Sequence, residues 1–312
     1  MDNADIKVRI MKILDKIKSK DEQVIKYVLQ LNDGLITEFS YINKNDGKDI
    51  ICVSTQTLCA QGCKFCHVSD SIGKLKLRNI TGDEINVGVE LIINDLNFFP
   101  LLPAHKLPHK KRNCLLISYM GCGEPLCNLN GIKSSIEYIV SGFKHGYNIV
   151  RFAIATMIPK SHVDRLYNLA SFIRENSYKV KIHLSLHYTF DDTREKWMPN
   201  AYEIMPSIDA LKWINRYCNI DIEIHYALIS GVNDSENDFF RLKSIGFPVK
   251  FLYYNEKDTI EEKASSYGRF ELAKKVFDNT DVPCEYYIPP GLDIGSSCGQ
   301  FLLDYYEKYN GV

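Results

Sequence analysis

Residues 50–66 read IICVSTQTLCAQGCKFC. The first seven, IICVSTQ (50–56), are rich in β-branched residues and predict a strand, and the loop that leaves it carries thiols at Cys59, Cys63 and Cys66. Outward from here the chain keeps alternating. Strand-like runs recur at LLISYM (115–120), NIVRFAIAT (148–156), VKIHLSLHY (180–188), IDIEIHYALI (220–229) and PVKFLYY (248–254). Helical stretches lie near 82–98, 130–142, 160–175, 207–217, 235–244 and 262–279, and a last helix is expected after Gly299. Six strand–helix repeats predict an α/β fold with a parallel sheet, its functional groups gathered at the C-terminal strand ends.

Upstream, residues 1–33 read as helical: Ile6, Ile10, Ile13, Leu14 and Ile17 share one face, and a second short helix would carry Val24, Val28 and Leu31. LITEFSYINKNDGKDIICVSTQ (35–56) then reads as two strands around a turn at Asn45-Asp46-Gly47. The expected organisation is a helical arm with a β-hairpin over 1–48, followed by one α/β body over 49–312. No internal repeat or linker interrupts it.

The 312 residues carry 38 Lys+Arg against 39 Asp+Glu, with 45% hydrophobic content, which excludes a disordered or low-complexity chain. No apolar run approaches the ~18 residues of a membrane span. The opening MDNADIKVRIMKILDK has no signal-peptide core, so a cytoplasmic protein is expected. The near-zero net charge argues against holding nucleic acid by bulk electrostatics, though a local basic groove stays open. One candidate is LLPAHKLPHKKRNC (101–114), where Lys106, Lys110, Lys111 and Arg112 would either line a solvated loop or meet RNA phosphates.

Ten cysteines, at 52, 59, 63, 66, 114, 122, 127, 218, 284 and 298, point to metal or thiol chemistry in a chain of this kind. Cys114, Cys218 and Cys284 sit in apolar stretches and read as buried. The triad Cys59-Cys63-Cys66 admits two centres. Zinc would need a fourth ligand, for which His67 is nearest but awkwardly adjacent to Cys66. A [4Fe–4S] cluster normally takes four thiolates, so three would leave one iron open to a small molecule.

The CxxxCxxC loop with Phe65 before its last cysteine resembles that of the radical-SAM superfamily. Met120-Gly-Cys-Gly-Glu-Pro-Leu-Cys127 followed by Asn128 resembles the MGMGEPLxN segment of one branch, the RlmN/Cfr family of RNA adenine methyl synthases. Cys52-Val-Ser-Thr-Gln-Thr-Leu-Cys59 is similar to its CVSSQxGC, and Asp293-Ile-Gly-Ser-Ser-Cys298-Gly-Gln300 to its DIxxxCGQ. Between them, Ser185-Leu186-His187, Arg194 with Pro199, Gly231-Val-Asn-Asp234 and Asn255 follow the family's order, so the resemblance covers roughly 38–300.

This resemblance implies a partial (β/α)6 barrel holding a [4Fe–4S] cluster on Cys59, Cys63 and Cys66, with S-adenosylmethionine (SAM) on its open iron. Gly123, Glu124, Ser185, Leu186, His187 and Asn255 would bind SAM, and Thr156 would replace a Ser/Thr-rich strand end of the family in Ala153-Ile-Ala-Thr-Met157. Cys298 would carry the methyl group, Cys52 would resolve the enzyme–RNA crosslink, and Glu38 would abstract a proton. Cys122 and Cys127 stand where the family has Met and Leu and read as packing replacements, with a thiol role the alternative for Cys122. The implied partners are ribosomal RNA, with transfer RNA a second acceptor, and a flavodoxin- or ferredoxin-like reductant; a monomer without membrane contact is expected. Only 51 residues precede Cys52, where the family has a longer RNA-binding domain, so the step to substrate is looser than the step to mechanism. Three readings follow: methylation of adenine carbon 2, methylation of carbon 8, or a family member with another substrate or a binding role alone.

Overall fold

The computed structural model describes residues 11–44, 47–97, 112–278, 280–297 and 299–301. Its N-terminal part is strand rather than helix. Lys12–Lys18 (β1), Val24–Gln30 (β2), Ile36–Asn43 (β3) and Lys48–Cys52 (β4) form an antiparallel meander, which corrects the expectation of helices there. Residues 1–10, with Ile6 and Ile10, lie outside the described residues. The reason for the strands is tertiary. Val24, Ile25, Tyr27 and Val28 are all buried, so β2 is covered on both faces, whereas an amphipathic helix buries one stripe. One face of the meander packs under a helix so closely that a Cβ on Gly88 would meet Phe39 at 2.5 Å. On the other, Gly291 lies against Val24 and the Lys26 ammonium donates to the Gly295 carbonyl (3.2 Å).

From β4 onward every ladder is parallel. Arg112–Tyr119 (β5), Tyr147–Thr156 (β6), Val180–Ser185 (β7), Asp221–Leu228 (β8), Val249–Tyr253 (β9) and Cys284–Tyr287 (β10) follow in spatial as in chain order. The α/β fold is thus borne out, with a seventh parallel strand, β10, that its four residues were too few to announce. No ladder among the described residues joins β1 to β10, and the sheet is open there. The helices are Gly82–Asp95 (α1), Leu129–Phe143 (α2), Val163–Glu175 (α3), Asp191–Trp197 (α4), Ile204–Cys218 (α5), Glu236–Ile245 (α6) and Tyr267–Phe277 (α7). Of these, α4 is an addition to the expected set. The helix expected after Gly299 and the turn residues Asn45 and Asp46 fall outside the described residues.

Strand periodicity divides the sheet into two chemically different faces. Ile117, Ile154, Ile182, Ile224 and Phe251 join Ile85, Ile132, Leu166, Leu211 and Phe239 in one large apolar core. The alternate positions, Ser118, Ala153, His183, Glu223 and His225, are small or polar and also buried. They form the floor under the functional groups. No helix among the described residues is long and apolar enough to cross a membrane.

Candidate active site

A cleft of about 190 Å³ opens at the C-terminal ends of β5 to β9. One wall is the cysteine loop, with Cys59, Cys63, Phe65 and Cys66; the others are strand-end residues from Met120 to Asn255. Burial pushes all three loop thiols up, and for Cys59 and Cys63 the neighbouring thiols push further. Converging thiolates in such a place are costly unless a cationic centre takes them as ligands. Zinc would draw three sulfurs to about 3.8 Å from one another, given Zn–S bonds of about 2.3 Å. Among the described residues the one trio with ligand atoms within 4.8 Å of one another is His183, Glu223 and His225, so the cysteine sulfurs are spread wider than that. The wider spread suits a multi-iron cluster. His67 does not join them: its Nε2 lies 3.4 Å from the Asn255 carbonyl.

The turn after β5 brings Glu124 into the cleft. Gly123 has φ +108°, and a Cβ there would meet Thr55 Oγ1 at 2.6 Å, so this crossing of the cysteine-bearing strand end requires glycine. Gln56 Oε1 accepts from the Glu124 N–H (3.0 Å). The Glu124 carboxylate accepts from Thr156 Oγ1 (2.6 Å), Leu126 N (3.0 Å) and Met157 N (3.1 Å). Burial nevertheless raises its pKa to about 7, these three bonds offsetting only part of the desolvation. Thr156, expected as a SAM contact, therefore stands behind Glu124 and braces it, while Ala155 and Met157 form the wall.

At the end of β7, Ser185 and His187 line the cleft, whereas Leu186 points into the core. His187 has φ +56°, a left-handed conformation held by Asn233, whose Nδ2 donates to the His187 carbonyl (2.6 Å). Its Nδ1 accepts from the Ala227 N–H (3.0 Å), which leaves the ring hydrogen on Nε2. Burial, with His225 and Arg194 nearby, lowers its pKa to about 3, so the ring is neutral. Arg194 is almost wholly buried and donates to the carbonyls of Ser185, Leu186, Met157 and Tyr202, tying two strand ends together. Beneath them, Glu223 takes bonds from His183, His225, Lys181 and Lys250. Burial would push this carboxyl up, but the four donors outweigh it and hold it well below the usual range. With two ammonium groups already on Glu223, this trio reads as an ion network rather than a vacant metal site.

Cys52 ends β4, opposite Ser40 of β3 and Ser118 of β5. Glu38, two residues before Ser40, lies on the same face of the sheet. It is fully buried, with Lys26 Nζ at 3.7 Å. Cys298 itself lies outside the described residues, but its flanks are defined. Asn255 Nδ2 donates to Ser297 Oγ (3.0 Å), Ser296 Oγ bonds Ser40 Oγ, and the Gly299 carbonyl accepts from the His67 N–H (2.9 Å). Gly299 also lines the cleft beside Cys66, and Phe301 packs in one cluster with Cys52 and Cys122. Arg112 is held by Asp49 in a two-pronged ion pair at the start of β5, not offered to phosphate; Lys106, Lys110 and Lys111 fall outside the described residues.

No protein-family model matches the chain. Among curated proteins it is 28% identical over 299 residues to the probable dual-specificity RNA methyltransferase RlmN of Clostridioides difficile, covering 93% of this chain and 79% of the relative. It is 29% identical over 283 residues to dual-specificity RNA methyltransferase RlmN of Paracoccus denitrificans, covering 88% and 68%. Among solved structures, a radical SAM methyltransferase from Sphaerobacter thermophilus superposes with TM-score 0.77 at 23% identity, over 93% of this chain and 81% of the other. The chain is thus similar over nearly its whole length to RlmN RNA methyltransferases, and it shares its fold with a radical SAM methyltransferase. The residues of the cleft fit the [4Fe–4S] cluster and SAM that the sequence resemblance implies. The cysteine loop has three thiols that could hold such a cluster, and Glu124 has a buried carboxylate that could face an ammonium group. Two residues of the cleft were not singled out from sequence, Met157, whose Sδ meets Cys63 Sγ at 4.0 Å, and His225; Phe65, marked by its place before Cys66, stands edge-on to His187. Met157 lies just beyond the end of β6, whereas His225 sits inside β8, three residues before its end, and only the fold brings it to the cleft.

Proposed function

We propose that the chain methylates a ring carbon of adenine in RNA, carbon 2 in preference to carbon 8, with ribosomal RNA as first acceptor and transfer RNA as second. An adenine ring carbon is not nucleophilic, so direct attack on an electrophilic methyl fails and a covalent route is needed. When bound, the cluster and SAM supply first a methyl group and then a 5′-deoxyadenosyl radical that activates it. Cys298 would carry the methyl as a thioether; on loss of one hydrogen atom to the deoxyadenosyl radical its carbon bonds the ring while still on sulfur, leaving enzyme and RNA crosslinked through a methylene. Glu38 takes the proton from the substituted carbon. Cys52 attacks the sulfur of Cys298, forms a disulfide and releases the base, and thiol exchange resets the pair. A flavodoxin- or ferredoxin-like protein delivers the electrons, and the chain acts as a monomer.

The observation that carries this reading is the course of residues 295–301. This loop runs from Lys26 past Asn255 and Cys66 to the cluster of side chains around Cys52. The described residues on either side of Cys298 thus reach a cluster cysteine, through Gly299, and the strand that carries Glu38, through the Ser296–Ser40 bond. The test is peptide mass spectrometry after the anaerobically reconstituted protein is incubated with SAM. A methyl-sized gain on the Cys298 peptide is expected. Cys298→Ala abolishes RNA methylation and keeps the cluster, while Cys52→Ala accumulates a covalent RNA adduct. Normal product from Cys298→Ala protein would sink the mechanism. SAM cleavage with Cys298 unmodified would favour radical chemistry on another substrate. Nucleoside mass and retention then separate carbon 2 from carbon 8.

A further inference from the structure

Lys257 lies between β9 and α7, far in sequence from the cysteine loop, yet its side chain is only 3% exposed. The ammonium donates to the carbonyls of Lys64 (3.1 Å) and Cys66 (3.0 Å) and to Asp70 Oδ1 (2.9 Å). Lysine is among the residues least often fully buried, and an ammonium removed from water costs several kcal/mol unless opposite charge faces it. Asp70 meets this need in part, since its side chain is 30% exposed and its other oxygen takes a bond from Thr259 (3.3 Å). The loop held by Lys257 is the one whose three thiols bind the cluster. Three thiolates on a 2+ cluster core leave a net charge of −1, and one-electron reduction makes it −2. A fixed positive charge lodged in that loop stabilises the reduced form more than the oxidised one.

We propose that Lys257 is a positioning residue that anchors the Cys59–Cys66 loop and raises the reduction potential of its cluster. The inference rests on the cluster and not on the identity of the RNA. It makes opposite demands of two neighbours: removing the lysine charge lowers the potential, and removing the Asp70 charge, which partly cancels it, raises the potential.

The experiment is an EPR-monitored redox titration of the reconstituted full chain, with iron and sulfide counted for each variant. Lys257→Met is expected to lower the midpoint enough to change the oxidised-to-reduced ratio about tenfold at fixed potential, or about 59 mV for one electron. Lys257→Arg keeps the charge and stays near the wild-type midpoint. Asp70→Asn moves it upward by less, because its carboxylate is partly solvated. An unchanged midpoint in fully loaded Lys257→Met overturns the proposal. So does a shift of the same sign in Lys257→Met and Asp70→Asn, since a loosened loop would move both alike. If Lys257→Met does not assemble a cluster, the Asp70→Asn rise decides, and its absence counts against the proposal. Wild-type protein with no [4Fe–4S] signal would overturn the cluster assignment instead.

Discussion

In its proposed SAM-binding role, Glu124 serves two ends that pull its proton in opposite directions. Its carboxylate must be charged to hold an ammonium, yet burial lifts its pKa to about 7 against an ordinary value of 4.5. A group with a raised folded-state pKa keeps its proton longer in the native chain than in the unfolded one. Stability from this residue is therefore fully present below pH 4.5 and falls as pH rises toward about 7. Ligand binding runs the other way: SAM affinity, measured by equilibrium dialysis on the cluster-loaded protein, is expected to weaken as pH drops below about 7. Glu124→Gln should remove both trends, leaving a melting temperature that no longer declines over this window and a SAM affinity that is poor at every pH. A variant that still bound SAM with the wild-type pH profile would show that Glu124 is not the ammonium acceptor.

The β5–α2 connection shows at the level of an element why glycine recurs beside the catalytic groups. Gly121 and Gly123 let this turn cross the end of the β4 strand at backbone distance; a Cβ on Gly121 would lie 2.8 Å from the Ser54 nitrogen. Gly123→Ala meets the Thr55 hydroxyl and the Gln56 side chain and must also hold φ +108°. We expect a loss of about 1–3 kcal/mol in chemical denaturation, together with weakened SAM binding because Glu124 is displaced. The parallel strands were legible because Ile, Val and Leu recur along β5 to β9, at alternate positions in β7 and β8, and Cys59, Cys63 and Cys66 announce themselves by spacing alone. The N-terminal meander was not. Ile13, Leu14 and Ile17 satisfy a helical period, and the deciding contacts come from α1 and from Gly291, which are far away in sequence. Lys26 and Lys257 were equally silent, because a lysine reads as a solvated residue until the fold buries it.

Across the whole molecule, the site is assembled from the strand ends of one sheet plus one returning segment. Ending the chain after Pro290 would spare all ten strands and remove the contacts of Ser296, Ser297 and Gly299 with Ser40, Asn255 and His67. Such a protein should keep its far-ultraviolet circular dichroism and a cooperative melt. Its cluster would lose the Gly299 wall, and its visible absorbance should bleach faster in air than that of the full chain. Strand order bears equally on how the molecule comes to exist. Each strand pairs with the one made immediately before it, so a chain emerging from the ribosome always finds its partner already in place. Residues 291–301, made last among the described residues, must travel back to the first strands synthesised. The sheet can thus be complete before the segment bearing the methyl-carrying thiol docks, and maturation of the reaction centre becomes a late step of folding.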